Sequence, residues 1–210
     1  MKELIIVGAG GFGRELLQWV KDINEVEHKW HIKGFIDDNL KALDNIECDY
    51  KVIGRIKDWQ PSENEVFALA IADPKTKEKV VSSLTARGAT FETIIHPRAR
   101  VGSFNKIGKG VVLYPRAGLT VNIKIGDFVT ILSSGIGHDV TIDDYSTISS
   151  HCGINGNVQI GKRVFVGSNA VIVPSRKIGD DAFIGAGSVV ISHIKQGVKV
   201  LGNPAKKIEF

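Results

Sequence analysis

The stretch Ser133–Asn157, SSGIGHDVTIDDYSTISSHCGINGN, decides how the rest of the chain is read. Large aliphatic residues recur in it at Ile136, Ile142, Ile148 and Ile154, each six positions after the last. Working outward, the same spacing runs back through Ile131, Ile125, Leu119, Leu113, Ile107, Val101 and Ile95. It runs forward through Ile160, Val166, Ile172, Ile178, Ile184 and Val190. One step breaks the pattern: Ile131 to Ile136 is five residues, directly before Gly137-His138. Glycine often follows the aliphatic position, as at Gly102, Gly126 and Gly161. A small residue often sits two positions ahead of it, as at Ala117, Ser146 and Ala182. Sustained hexads predict a β-helix over residues 95–210, three hexads to a triangular coil, with aliphatic ladders inside and small residues at the corners. Coils cannot close their own ends, so an N-terminal unit and a C-terminal cap are expected to cover them.

Ahead of the repeat the pattern changes. Lys2–Val7 reads as a buried strand, Gly8-Ala-Gly-Gly-Phe-Gly13 as a tight turn, and Arg14–Ile23 as a helix with Leu16, Leu17 and Val20 on one face. Glycines let backbone N–H groups approach a phosphate, and a helix N-terminus adds favourable partial charge, so Gly10, Gly11, Phe12 and Gly13 are candidate binding residues. Further strands are expected at Ile32–Ile36, Glu65–Ala72 and Phe91–Ile95. A helix is expected over Pro74–Arg87, capped by Asp73. Residues 1–94 thus form a small Rossmann-like α/β unit with a parallel sheet. It is about half a dinucleotide fold, and Asp37 lies farther from the glycine turn than the roughly 20 residues usual for a ribose-binding acid. Both features favour a nucleotide sugar over NAD. Asp37 and Asp38, at a strand's C-terminal end, are candidate acceptors for ribose, base N–H groups or a sugar ammonium.

Composition narrows the partners. The 43% hydrophobic content fits a globular chain, and a net charge of +4 without a basic block interleaved with aromatics argues against nucleic acid. Cys48 and Cys152 stand apart, in no metal-ligand spacing, so no metal is expected and reduced thiols in a cytoplasmic protein are. The apolar run Leu4–Gly10 is too short to insert in a membrane.

Taken together, KELIIVGAGGFGRE, GFIDDN, IIHPRARVG, GHDVTIDDYSTIS and the closing GNPAKKI resemble one group of the hexapeptide-repeat, left-handed β-helix acyltransferases. That group holds the sialic acid O-acetyltransferases and the nucleotide-aminosugar N-acetyltransferases. The resemblance implies an acetyl-CoA-dependent acetyltransferase that works as a homotrimer, with a nucleotide sugar bound by the N-terminal unit and acetyl-CoA by the β-helix. It places the general base on His138 and the acidic neighbour that raises its basicity on Asp139. Acetyl-CoA contacts fall on Thr147, Gly156, Ser168 and Ala186, and Lys206 is a candidate for the adenosine and phosphate end. Two departures stand out, because several relatives carry histidine where this chain has Thr147, and many do where it has Phe12.

The chemistry can be stated separately. Acyl transfer from a thioester to an amine or hydroxyl needs a base that titrates near neutrality, which suits histidine. His28, His31 and His193 read as surface residues, and His96 as structural at the unit junction. His138 is flanked by glycine at the break in the repeat. His151 is second choice, beside Cys152 at a regular corner. Adjacent strand residues point to opposite faces, so Asp139 reaches His138 only through irregular backbone; Asp143 and Asp144 are the substitutes. The expected reaction is acetylation of the amino group of a nucleotide-linked amino sugar. An O-acetyltransferase of sialic acid or another sugar is the close alternative, and a non-catalytic sugar-nucleotide-binding scaffold is the alternative of another class.

Overall fold

The computed structural model describes residues 1–209. It opens with β1 (Lys2–Val7), α1 (Gly11–Val26), β2 (Trp30–Ile36), β3 (Val52–Gly54), β4 (Glu65–Leu69) and α2 (Pro74–Ala86). The strands form one parallel sheet in the order β3-β2-β1-β4. β1 is central, and its Leu4, Ile5, Ile6 and Val7 are all fully buried, as a strand covered on both faces must be. Leu16, Leu17, Val20 and Ile23 form the buried face of α1. The Asp73 carboxylate caps α2 by accepting from the Thr76 N–H at 2.8 Å. β3 was not foreseen, being a three-residue edge strand too short to show a period.

The glycine turn between β1 and α1 is set by sterics. Gly8 has φ +102°, and a Cβ there would lie 2.8 Å from the Ala70 carbonyl oxygen. A Cβ at Gly13 would lie 2.0 Å from the Gly8 carbonyl oxygen, so α1 and the turn touch backbone to backbone.

The segment expected as one strand over Phe91–Ile95 is divided between two sheets. Phe91 bridges to Phe67 beside β4, whereas Ile94–Ile95 pairs with Val112–Leu113 and already belongs to the β-helix. The β-helix has three flat faces built mostly of two-residue strands, in sheets of eight, six and five strands that are parallel except for the last strand of the eight. The docked face includes Val112–Leu113, Thr130–Ile131, Thr147–Ile148 and Phe165–Val166. The groove face includes Arg100–Val101, Gly118–Leu119, Gly135–Ile136 and Gly153–Ile154. The lysine face includes Lys106–Ile107, Lys124–Ile125 and Lys177–Ile178. From Leu113 to Val190 every aliphatic hexad position is buried, and these residues make one continuous core.

The turns explain the break in the repeat. Most carry one residue in the left-handed region, among them Asn122, Phe128, Asp139, Tyr145, His151 and Asn157. The turn at 132–134, between Thr130–Ile131 and Gly135–Ile136, is one residue short and has none.

The α/β unit docks against the flank of the β-helix and not across its end, contrary to the capping expected. Phe12 and Trp19 of α1 pack on Tyr114, while Phe91 packs on Phe128, which stacks on Tyr145 at 5.4 Å. The first coil is left open, with Ile95 and Val101 exposed and Phe104 83% exposed. On the docked face the outward residues Val112, Thr130 and Thr147 are all buried. At the C-terminal end the chain reverses after Lys199–Leu201, and Lys206–Lys207 pairs back on it antiparallel.

Candidate active site

His138 lies in the turn that leaves the groove-face strand Gly135–Ile136. Its Nδ1 is 2.8 Å from Asp139 Oδ2. The two neighbours meet because Asp139 has φ +60°, which swings its carboxylate back to the preceding ring and not to the opposite face. Asp139 is the left-handed residue that a full-length turn carries, so the irregular backbone this pairing requires comes from the ordinary turn and not from the five-residue step. The short step sits one turn earlier. The backbone here is pinned by Gly137 N–H to Ile154 O at 2.7 Å, Asp139 N–H to Val121 O at 3.1 Å and Asn157 N–H to His138 O at 2.9 Å.

Both side chains face solvent, His138 at 59% and Asp139 at 48% exposure. A pair so exposed adds little to stability. Its effect is on the tautomer: a carboxylate on Nδ1 holds the proton there and leaves the Nε2 lone pair free to accept another. The ring lies across Gly156, where a Cβ would come within 2.5 Å of Nε2, so only glycine fits beneath it. The substitutes, Asp143 and Asp144, do not reach His138. Asp144 binds the Lys162 ammonium at 3.0 Å and the Asp127 N–H at 2.9 Å. Burial holds the Asp143 carboxyl above its usual range.

The imidazole opens onto a groove of about 830 Å³ along the groove face, bordered by Thr120, Asn155 and Pro174. Its floor carries no side chains. Gly118, Gly135 and Gly153 are the outward residues of three adjacent strands in register, with Arg100 on one side and Val171 on the other. A Cβ at Gly118 or Gly135 would meet nothing within 4 Å. Packing within the chain therefore does not call for glycine at either place, and the bare floor lets a ligand approach backbone closely. Sequence reasoning missed this feature, although glycine one position before three consecutive groove-face aliphatics was visible.

The other candidates are spread over the molecule. Thr147 is a correction: it is 1% exposed beneath α2. Its hydroxyl donates to the Ala72 carbonyl at 2.7 Å and accepts from Lys77 Nζ at 2.8 Å, so it has no surface to offer acetyl-CoA. The docked α/β unit covers it. Ser168 is half-buried and Ala186 exposed, at the edge between docked and groove faces, and they lie one coil apart, joined by Gly187 N–H to Ser168 O at 2.8 Å. Lys206 is exposed on the terminal strand. Gly156 belongs to the opposite edge of the groove face, so a single chain does not gather these four into one cluster.

At the glycine turn, the first helical bond runs from Arg14 N–H to Gly10 O at 3.1 Å, so the N–H groups ahead of it have no helical acceptor. A Cβ at Gly10 would meet nothing within 4 Å and one at Gly11 only the Arg14 guanidinium at 3.9 Å, while Phe12 is turned onto Tyr114. Asp37 braces the turn: its Oδ2 accepts the Ala9 N–H and its Oδ1 the Asn39 N–H, both at 2.8 Å. Asp38 accepts the Lys57 N–H at 3.1 Å. His151 is exposed beside the short turn. Cys152 is buried, which pushes its thiol pKa up and keeps it unreactive. His96 pairs with Asp22 at 2.9 Å and is structural.

Sequence reading also missed Lys77. It is fully buried between α2 and the docked face, bonded to Thr130 Oγ1, Thr147 Oγ1 and the Ser146 carbonyl, and desolvation lowers its pKa to about 7. Among the described residues no His, Cys, Asp and Glu cluster could hold a metal ion, and no helix is long and apolar enough to cross a membrane.

Comparison with known proteins adds the following. The family described as the PglD N-terminal domain matches residues 3–84, and the bacterial transferase hexapeptide family (six repeats) matches residues 157–192. The chain is 33% identical to GDP-perosamine N-acetyltransferase of Escherichia coli O157:H7, covering 97% of this chain and 95% of the relative. Among solved structures, WeeI from Acinetobacter baumannii AYE is 28% identical with a TM-score of 0.81, over 99% of this chain and all of that one. A histidine variant of perosamine N-acetyltransferase from Caulobacter crescentus, solved with CoA and GDP-perosamine, shares the fold. Its TM-score is 0.87 at 21% identity, over 100% of this chain and 98% of that one.

Proposed function

The chain belongs to the hexapeptide-repeat acyltransferases of the nucleotide-aminosugar N-acetyltransferase group, and from that premise we propose that it acetylates the amino group of a GDP-linked amino sugar, GDP-perosamine or a close analogue, using acetyl-CoA. The observation that carries this reading is the His138–Asp139 pair, 2.8 Å apart at the edge of an open, glycine-floored groove. The neutral sugar amine attacks the thioester carbonyl while His138 Nε2 takes its proton. The C–N bond forms, the C–S bond breaks, and the imidazolium returns the proton to the departing thiolate, giving an amide and CoA. Asp139 holds the reactive tautomer and stabilises the transient imidazolium. Gly156, beneath the ring, offers a backbone N–H to the carbonyl oxygen as negative charge develops on it.

In this reading residues 1–94 bind the nucleotide, with the diphosphate on the N–H groups at the α1 N-terminus. Residues 95–210 carry the transfer. Assembly as a homotrimer belongs to the same proposal and is supported by the division of Gly156 from Ser168, Ala186 and Lys206. A neighbouring copy would complete around acetyl-CoA what one chain leaves split. A cytoplasmic location fits the free thiols of Cys48 and Cys152.

The test is CoA release from acetyl-CoA across GDP-perosamine, other amino-sugar nucleotides and free sialic acid. Turnover is expected with GDP-perosamine or a near analogue. Turnover confined to sialic acid would make the chain an O-acetyltransferase, and binding without turnover of any acceptor would make it a scaffold.

A further inference from the structure

The proposed site is shared between two units, with a glycine turn on α1 and an imidazole on the β-helix, and Tyr114 is the contact between the units that involves the first turns of α1. It follows Val112–Leu113 and is 5% exposed. Three residues of α1 surround it. Phe12 packs edge-on at 5.7 Å between ring centroids, Trp19 packs edge-on from the next turns, and Glu15 Oε2 accepts the phenolic hydrogen bond at 3.0 Å. Phe12 is the second residue of α1 and Glu15 the fifth, so these two contacts lie beside the N-terminal N–H groups of the helix, and Trp19 adds one two turns on. Burial, reinforced by the Glu15 charge, pushes the phenol's pKa up, so it remains a donor.

On the other side Tyr114 is locked into the β-helix. Its N–H donates to Ile131 O and its carbonyl accepts from Ala117 N–H, both at 3.0 Å. Gly118 follows at once and opens the groove floor, in register with Gly135, three residues before His138. The Ser133 hydroxyl, in the short turn, donates to the Pro115 carbonyl at 2.8 Å and fixes the same corner. Rigid strands spaced about 4.8 Å apart thus connect the side chain that grips α1 to the strand that presents the base.

We propose that Tyr114 is a positioning residue, holding the N-terminus of α1, and with it the diphosphate of the acceptor, at a fixed offset from His138. It touches no reacting atom and acts through α1. The proposal rests on the nucleotide-sugar reading above. Its consequence is kinetic, because a misplacement of about 1 Å in a bound reactant can cost on the order of 10²-fold in rate.

The test uses Tyr114→Phe, Glu15→Leu and the double variant, each assayed with GDP-perosamine and with free perosamine, which lacks the nucleotide and so does not engage α1. Leucine offers the phenol no acceptor, so each single variant should lower kcat/KM for GDP-perosamine about tenfold, and the double variant should lose no more than either, since both remove one bond. Turnover of free perosamine and KM for acetyl-CoA should be unchanged. Parallel losses with both acceptors would assign Tyr114 to general packing and overturn the proposal. Additive losses, or no loss with GDP-perosamine, would overturn it equally. A wild type that releases no CoA with GDP-perosamine would instead fail the proposed function itself, and this role would fall with it.

Discussion

The docked face and the groove face of the β-helix share one interior and differ in what they turn outward. Inward, the docked face carries Leu113, Ile131 and Ile148, and the groove face carries Leu119, Ile136 and Ile154, all of them buried. Outward, one position before each, the docked face has Val112, Thr130 and Thr147, whereas the groove face has Gly118, Gly135 and Gly153. The first set is covered by α1, α2 and their neighbours. The second is left as bare backbone with His138 at its edge. The inward half of the hexad builds the scaffold, then, and the outward half assigns each face its work. A fold assembled this way can change function by changing one residue in six without disturbing its core.

Exchanging the outward chemistry should break that division in a graded way. Removing the base is the largest change. His138→Ala is expected to lower kcat by a factor on the order of 10² or more while the thermal midpoint stays in place, because the side chain is exposed. Steady-state CoA release beside a melting curve checks both halves. Filling the floor comes next. Gly135→Val places a branched side chain where a Cβ meets nothing of the chain's own. The fold should therefore tolerate it, while kcat/KM drops by about tenfold or more, the usual cost of misfit in a binding pocket. A loss of folded protein would show that the glycine serves packing. Asp139→Asn removes the negative charge beside Nδ1 while keeping the size and an amide oxygen, so kcat should fall by about tenfold with KM for both substrates unchanged.

The smallest effect on turnover belongs to the docked face, where the change appears only in the pH dependence of stability. Lys77 has its pKa lowered to about 7 by burial, against 10.5 in an unfolded chain. Between these values the unfolded state holds a proton that the folded state does not, so stability rises with pH, by about 1.4 kcal/mol per unit at most. Above 10.5 the contribution is complete, and below about 7 its loss has run its course. Lys77→Met should flatten that slope between pH 7 and 9 in thermal melts without changing the pH profile of turnover. An unchanged slope would show that the ammonium is retained in the folded state.

How much was legible beforehand follows the same division. The aliphatic spacing from Leu113 to Val190 read correctly because burial inside a coil is a local, periodic demand, whereas Ile95 and Val101 kept the spacing and stayed exposed on the open first coil. The step from Ile131 to Ile136 could be counted for the same reason. The side-chain partner of His138 was harder, since a backbone angle and not residue order brings Asp139 to it. A usable signal existed in the asparagines and aspartates that recur at turn positions, Asn122, Asp139, Asn157 and Asp181, which tolerate the left-handed region. Thr147 was misplaced and Lys77 unnoticed for one reason: which outward side chains become buried depends on where the α/β unit docks. That contact joins α2 to strands more than fifty residues away, beyond the reach of any local pattern. The flank docking that leaves Phe104 uncovered is nonlocal in the same way.

The measurement that bears most directly on this account is the identity of the product formed when the wild-type chain is incubated with acetyl-CoA and GDP-perosamine. The account predicts one CoA released for each acceptor consumed, with the acetyl group found on the sugar nitrogen by nuclear magnetic resonance. Acetyl found on a sugar hydroxyl, or no CoA released while both substrates bind, would contradict it.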